Sequence, residues 1–136
     1  LDVLIKESRN SKIHLTGYRS DVASLLQKCH LFVMASRERE GLPKAVIEAM
    51  ALSVVPIVTD VGGMPELVIH EQCGLVVPPA DPESLAKAIK VLSADSRKRL
   101  LFAEAAKKRI QMEFSVEKTV SETVELYTEL NNDSRK

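Results

Sequence analysis

The chain has 136 residues, and its 19 lysines and arginines balance 19 aspartates and glutamates, for a formal net charge of zero. That length holds one domain at most and is short for a complete nucleotide-binding sheet. Charge balance excludes a basic field that would draw nucleic acid or an anionic membrane, and 4% aromatics without tryptophan leave no base-stacking platform.

The predicted elements begin with Ile13-His14-Leu15-Thr16, the first of four short apolar runs rich in β-branched residues. The others are Leu31-Phe32-Val33-Met34, Val54-Val55-Pro56-Ile57-Val58 and Leu75-Val76-Val77. Near-continuous apolarity suits strands covered on both faces, as in parallel sheets. Helical patterns separate the runs: Asp21 to Gln27 with Asp21 as N-cap, Pro43 to Leu52, and a short one from Met64 to Ile69. This alternation predicts an α/β fold, a Rossmann-like parallel sheet of about four strands with flanking helices. Pro56 conflicts locally with a strand and is tolerable near an edge or at the strand's start.

Beyond the fourth run the pattern is helical only. Asp81-Pro82 is an N-cap followed by proline at the first helical position, and Leu85, Ala88, Ile89 and Leu92 form an apolar stripe. A charged helix follows from about Ser96 to Met112, and its Lys107-Lys108-Arg109 cluster reads as a solvated face. A last helix opens near Ser115 with Val116, Val120, Val124, Tyr127 and Leu130 on one stripe, and residues 131–136 read as a frayed polar tail. Cys29 and Cys73 lack zinc-ligand spacing and are read as reduced, packed thiols; His14, His30 and His70 show no metal or triad spacing. No signal peptide or apolar run of spanning length occurs, and a soluble, cytoplasmic protein is expected. Leu1 stands where Met would open a chain, which suggests a piece of a longer protein.

The segment richest in chemistry runs from Glu40 to Glu48. Glu40 closes the charged run Arg37-Glu38-Arg39-Glu40, and taken alone it reads as a solvated charge. Glu48 sits within Ala45-Val46-Ile47-Glu48-Ala49-Met50-Ala51-Leu52, a helix that reads as apolar around most of its girth and therefore buried. A glutamate there needs an internal donor or a ligand presenting hydroxyls. With Pro43 in the first turn, Glu48 lies roughly 7 Å further along the axis than the helix start. Between the glutamates a helix N-terminus offers N–H groups to phosphate or sugar oxygens. Thr59-Asp60-Val61-Gly62-Gly63-Met64-Pro65-Glu66 follows the third run, at the sheet end where open α/β proteins bind ligands. Its glycine pair permits close backbone approach but is weak evidence alone. Gly74 to Pro82 reads as architecture, and Ser36 as a turn residue.

In this order and spacing, Ser36 to Ala51, Val55 to Glu66, Gly74 to Pro82 and Phe114-Ser115 resemble the C-terminal half of the retaining glycosyltransferases of family 4, the group 1 transferases of GT-B architecture. The likeness covers nearly the whole chain from Ile13 onward and implies that residues 1–136 are part of a C-terminal, donor-binding domain, with a terminal helix and tail over 114–136. It implies that Glu48 grips the ribose hydroxyls of a nucleotide sugar and that Glu40 faces the donor sugar as the catalytic carboxylate. Gly41, Leu42, Pro43 and Lys44 would lie beside sugar or phosphate oxygens, Pro43 having no N–H to give, with Gly62 and Gly63 lining the same site. The donor would be a UDP-, GDP- or ADP-sugar. No Asp-x-Asp pair is present, and no metal or other cofactor is expected.

The resemblance also implies a sheet order 3-2-1-4-5-6, in which the four runs are strands three to six and Leu1 to Ser8 ends the preceding helix. On that plan the Ile13–Thr16 strand lacks its neighbour: the chain is an excerpt of a longer fold, or this strand moves beside the next one, or another copy supplies the missing edge. The departures are Ser53, where the family usually has glycine, and Lys44, where an apolar residue is common. The Arg and Lys that clamp the diphosphate in the family have no match before Ile13, and the acceptor-binding N-terminal domain is absent from the sequence. Acceptor glycans, lipids or small molecules would meet that domain, with peripheral membrane association of the parent. The isolated chain is expected to be inactive and to self-associate. Two other readings stay open: a non-catalytic nucleotide-sugar-binding module, and a GT-B sugar-nucleotide epimerase. No Gly-x-Gly-x-x-Gly follows any strand, which argues against a nicotinamide dehydrogenase.

Overall fold

The computed structural model describes residues 13–38 and 41–133. In chain order they form α1 (Val22–Leu26), β1 (Leu31–Met34), α2 (Lys44–Ala51), β2 (Val55–Thr59), α3 (Met64–Leu67), β3 (Leu75–Val77), α4 (Pro82–Ala94), α5 (Ser96–Glu113) and α6 (Val116–Asp133). The three strands make one parallel sheet in the order β1-β2-β3, with Leu31 opposite Val55 and Ile57 opposite Leu75. All five residues of the central strand β2 are buried, as its unbroken apolarity predicts for a strand covered on both faces.

Two packed layers flank that strand. On one side Val58 meets Val46 and Met50 of α2, Met64 and Leu67 of α3, and Ala106 and Ile110 of α5. On the other, Val55 and Ile57 meet Ala88 and Leu92 of α4 and Phe102 of α5. Helix α5 thus contributes to both layers. Of the Lys107-Lys108-Arg109 cluster expected as a solvated face, Lys107 and Lys108 are exposed, whereas Arg109 is half-buried against α3; Phe102, Ala106 and Ile110 of the same helix are buried. Large charged side chains on such a helix conceal a short i, i+4, i+8 apolar line among alanines.

Three further expectations change, and that for Pro56 holds. Residues 13–16 form no strand, and Ile13 and Leu15 are 44% and 53% exposed. A strand exists only where it is paired, and among the described residues none runs along the outer edge of β1. Pro56 stands in the central strand but at its start, as the second residue of β2, one of the two places where it is expected to be tolerable. It is tolerated because the β2–β3 ladder begins one residue later, at Ile57. Asp21 does not cap α1 with its side chain; Arg19 Nε donates to its Oδ1 at 2.8 Å, and that bond holds the carboxyl below its usual range. Cys29 is exposed, whereas Cys73 is packed as expected.

Other local readings match their physics. Asp81 caps α4, accepting from the Ser84 N–H at 3.0 Å and the Ser84 hydroxyl at 2.6 Å. Helix α2 ends in a Schellman turn: Val54 N–H donates to Ala49 O, Ser53 N–H donates to Met50 O, and the Ala49 and Val54 side chains share one small cluster. Ser53 occupies the left-handed position of that turn with φ of 62°. The stripe Val116, Val120, Val124, Tyr127 and Leu130 of α6 is exposed, and the helix runs on through Asn131 to Asp133 where a frayed tail is expected. No helix among the described residues is long and apolar enough to cross a membrane.

Candidate functional site

Because all three strands are parallel, the loops leaving β1, β2 and β3 gather at one edge of the sheet. Backbone and side-chain bonds tie them together. The Thr59 hydroxyl, at the end of β2, donates to Ser36 O in the loop after β1 at 2.8 Å. Asp60 N–H donates to Val77 O at the end of β3, also at 2.8 Å. A cleft of ≈ 180 Å³ opens at this edge, lined by Ala35, Arg37, Thr59, Pro78, Ala80 and Asp81 among others.

The glycine pair sits beside it, with separate tasks for its two members. Gly62 takes φ of 54°, a left-handed conformation that glycine adopts without strain. Gly63 is buried, and a side-chain carbon there would stand 2.6 Å from Gly41 O and 3.0 Å from a Leu42 methyl carbon. The turn after β2 therefore packs directly on the loop that enters α2. The sequence suggests ligand approach as the reason for the pair; at Gly63 the close packing of the two loops is a second reason for glycine.

Helix α2 starts from Pro43, which is buried in the N-cap position with φ −71° and ψ 118°. Val46 and Ile47 N–H both donate to Pro43 O, so Lys44 and Ala45 precede the first intrahelical donors. No acidic residue occupies the first turn, and Lys44 holds its first position, exposed. A lysine there opposes the positive end of the helix dipole.

Glu48 is the main correction. The helix that carries it buries Val46, Ala49 and Met50 but turns Lys44, Ala45, Glu48 and Ala51 to solvent. Alanine is at home in either environment, so Ala45 and Ala51 give the outer face a false apolar look. The carboxylate has no buried partner to explain; it is presented outward on the same helix as Lys44. Gly41, Leu42 and Gly62 are likewise exposed, while Pro43 and Gly63 are buried beneath them. Glu40 lies outside the described residues. Among the described residues, Gly41, Leu42, Pro43, Lys44, Glu48, Gly62 and Gly63 do not line the cleft at the strand ends. Arg37, which in sequence is only part of a charged run, lines the cleft with a cation, the one cation there among the described residues. Nothing in its spacing marks it out.

Larger hollows lie elsewhere. One of ≈ 320 Å³ follows β3 and α4 beside His70, whose Nδ1 accepts from Val76 N–H at 3.0 Å. Another of ≈ 240 Å³ lies between Ile69, Cys73 and α5. Burial pushes the Cys73 thiol up, away from the reactive thiolate. Among the described residues no group of three or more His, Cys, Asp or Glu could hold a metal ion.

Residues 3–109 match the family described as glycosyl transferases group 1. An uncharacterized glycosyltransferase of Methanocaldococcus jannaschii is 33% identical over 134 residues, 97% of this chain and 38% of the relative. Among solved structures, sucrose-phosphate synthase from Thermosynechococcus elongatus superposes with a TM-score of 0.88 at 28% identity, covering 97% of this chain and 34% of that one. An Anabaena protein in complex with UDP gives 0.84 at 25% identity, covering 94% and 34%. The chain therefore spans about a third of the length of these proteins, and its α/β fold is the one found in GT-B glycosyltransferases. On the strength of a match through most of its length, this chain belongs to the group 1 glycosyl transferases.

Proposed function

We propose that this chain is the donor-binding part of a retaining glycosyltransferase that moves a hexose-type sugar from a nucleotide sugar to a glycan, lipid or small-molecule acceptor. The observation that carries the reading is the contact of Gly63 with Gly41. It sets the start of α2, with Lys44 and the outward Glu48, next to the Gly62 turn at the carboxyl edge of the sheet. A carboxylate is an acceptor-only group suited to paired ribose hydroxyls, and a helix start with a lysine and no first-turn acid suits a diphosphate. Binding of UDP by the Anabaena protein of similar fold supports a nucleotide ligand.

In this reading Glu48 holds the ribose, Gly41, Leu42, Lys44 and Gly62 lie along the diphosphate and sugar, and Pro43 and Gly63 support that surface from beneath. Glu40 is the catalytic carboxylate facing the sugar. The leaving diphosphate is stabilised by the α2 N-terminus and protein cations without a metal. The acceptor is held by the remainder of the full-length protein, working in the cytoplasm and at the membrane surface where the acceptor is a lipid.

The experiment is calorimetric titration of UDP, GDP and ADP into the full-length protein and its Glu48→Gln variant. The variant is expected to keep the parent's thermal midpoint and to lose affinity for one of the three by about tenfold or more, the loss of a charged hydrogen bond. Equal affinities for all three would remove Glu48 from a nucleotide site. Glu40→Ala should lower kcat more than it raises the donor KM if the carboxylate acts in the transition state. An effect confined to KM would make it a binding group.

A further inference from the structure

We infer that Arg109 is a positioning residue for the Gly62–Gly63 turn, an assignment that rests on the reading of that turn as part of the donor site. Helix α3 has only four residues. Its N-terminal end is Gly63, whose carbonyl accepts from Glu66 and Leu67 N–H. At its other end the Glu66 and Leu67 carbonyls emerge where no further turn of helix follows to use them. Arg109, 42 residues on from Leu67 and held on the long helix α5, takes both: Nη2 donates to Glu66 O at 2.7 Å and Nε donates to Leu67 O at 3.0 Å. A cation at this end also complements the dipole of α3.

The contact continues in both directions. Beyond α3, Gly63 stands against Gly41 O at the entrance to α2, so a line of packed backbone links the guanidinium to the Lys44 and Glu48 helix. Behind it, the guanidinium carbon lies 5.4 Å from the centre of the Phe114 ring, at the residue that ends α5. That stacking fixes the plane of the fork. Two side-by-side N–H donors on one edge of a rigid plane serve the two successive carbonyls, and lysine's single ammonium on a flexible stem cannot reproduce them. The turn is therefore held from two sides, by the Gly41 backbone at the entrance to α2 and by Arg109 on α5.

Arg99 supplies the control. Its Nη1 donates to Leu92 O at 2.6 Å and Ser93 O at 2.8 Å, the same type of contact at the end of α4 and unconnected to the turn. The test compares Arg109→Met, Arg109→Lys and Arg99→Met in the full-length protein, with Glu48→Gln as the marker of the donor site. Each is measured by titration of UDP, GDP and ADP, by thermal midpoint and by amide hydrogen exchange over residues 62–68. Both Arg→Met variants are expected to lower the midpoint. Only the two Arg109 variants should speed exchange over 62–68 and weaken the nucleotide that Glu48→Gln affects, by about fivefold or more. Unchanged exchange over 62–68 in Arg109→Met, or an equal change of affinity in Arg99→Met, would overturn the assignment. If Glu48→Gln leaves all three nucleotides unaffected, the donor-site reading fails, and Arg109 is then judged on exchange alone, with faster exchange upholding its hold on the turn.

Discussion

Gly63 and Gly41 touch so closely that a side-chain carbon on the first would lie 2.6 Å from the carbonyl oxygen of the second. Two loops that are 22 residues apart in sequence thus meet backbone to backbone, a contact that rotamer changes cannot relax. Gly63→Ala must push one loop off the other, an overpacking cost of about 1–3 kcal/mol. Urea unfolding should show a lower midpoint with unchanged m-value. Nucleotide affinity should fall in the same variant, because the loop that moves is the entrance to α2. A stability equal to the parent's would mean that the loops separate without penalty.

Ser53 gives the opposite sign. It sits in the Schellman turn that ends α2 with φ of 62°, where a residue with a side chain carries steric strain that glycine does not. Ser53→Gly should stabilise the protein by about 1 kcal/mol, even though glycine loosens the unfolded chain. The expected result is a rise of several degrees in thermal midpoint, with nucleotide binding unaltered. A fall would show that the greater freedom of glycine in the unfolded state outweighs the relieved strain.

Features governed by neighbours along the chain are legible in the sequence. The buried strand Val55–Thr59, the Asp81 cap and the glycine pair each follow from local patterning, turn chemistry or helix-end chemistry. Features that depend on distant partners are not. The Ile13–Thr16 run has the composition of a strand but no described strand to pair with, and Arg109 gains its task only from carbonyls more than 40 residues away. Glu48 misleads for a different reason: alanine on both faces of α2 hides the boundary between buried and exposed, so its outward position does not show in the pattern.

The Asp81 cap makes stability depend on pH in a known direction. The Ser84 hydroxyl, and then the Ser84 N–H, hold the Asp81 carboxyl below its usual value. A lowered native value means that the unfolded chain binds the proton more readily. The contribution of this group is therefore fully present above the unfolded carboxylate value of about 3.9, and is lost as pH falls through the lower native value. Asp21 and Glu113 are shifted the same way by Arg19 and Lys118, so the parent's acid limb alone does not isolate the cap. The difference in thermal midpoint between Asp81→Ala and the parent does. It should be constant from neutral pH down to about pH 5 and shrink below about pH 4. A difference that stayed level into strong acid would show that the Asp81 side chain stabilises α4 by something other than its charge.

Lys44 offers a prediction in which stability and binding move in opposite directions. As the first residue of α2 it places a positive charge at the positive end of the helix dipole, with no acid in the first turn to offset it. Such a residue weakens the helix by about 0.3–1 kcal/mol at low ionic strength. Lys44→Ala should therefore raise the unfolding midpoint slightly, more so in low salt, since alanine is also the better helix former. If the same helix start receives a diphosphate, the variant should bind UDP, GDP or ADP several-fold less tightly, with the loss fading as salt is added. A merely solvated lysine would show the gain in stability without the loss in affinity, and a lysine needed for folding would show neither. The two measurements on one protein separate an electrostatic sacrifice made for a ligand from an ordinary surface charge.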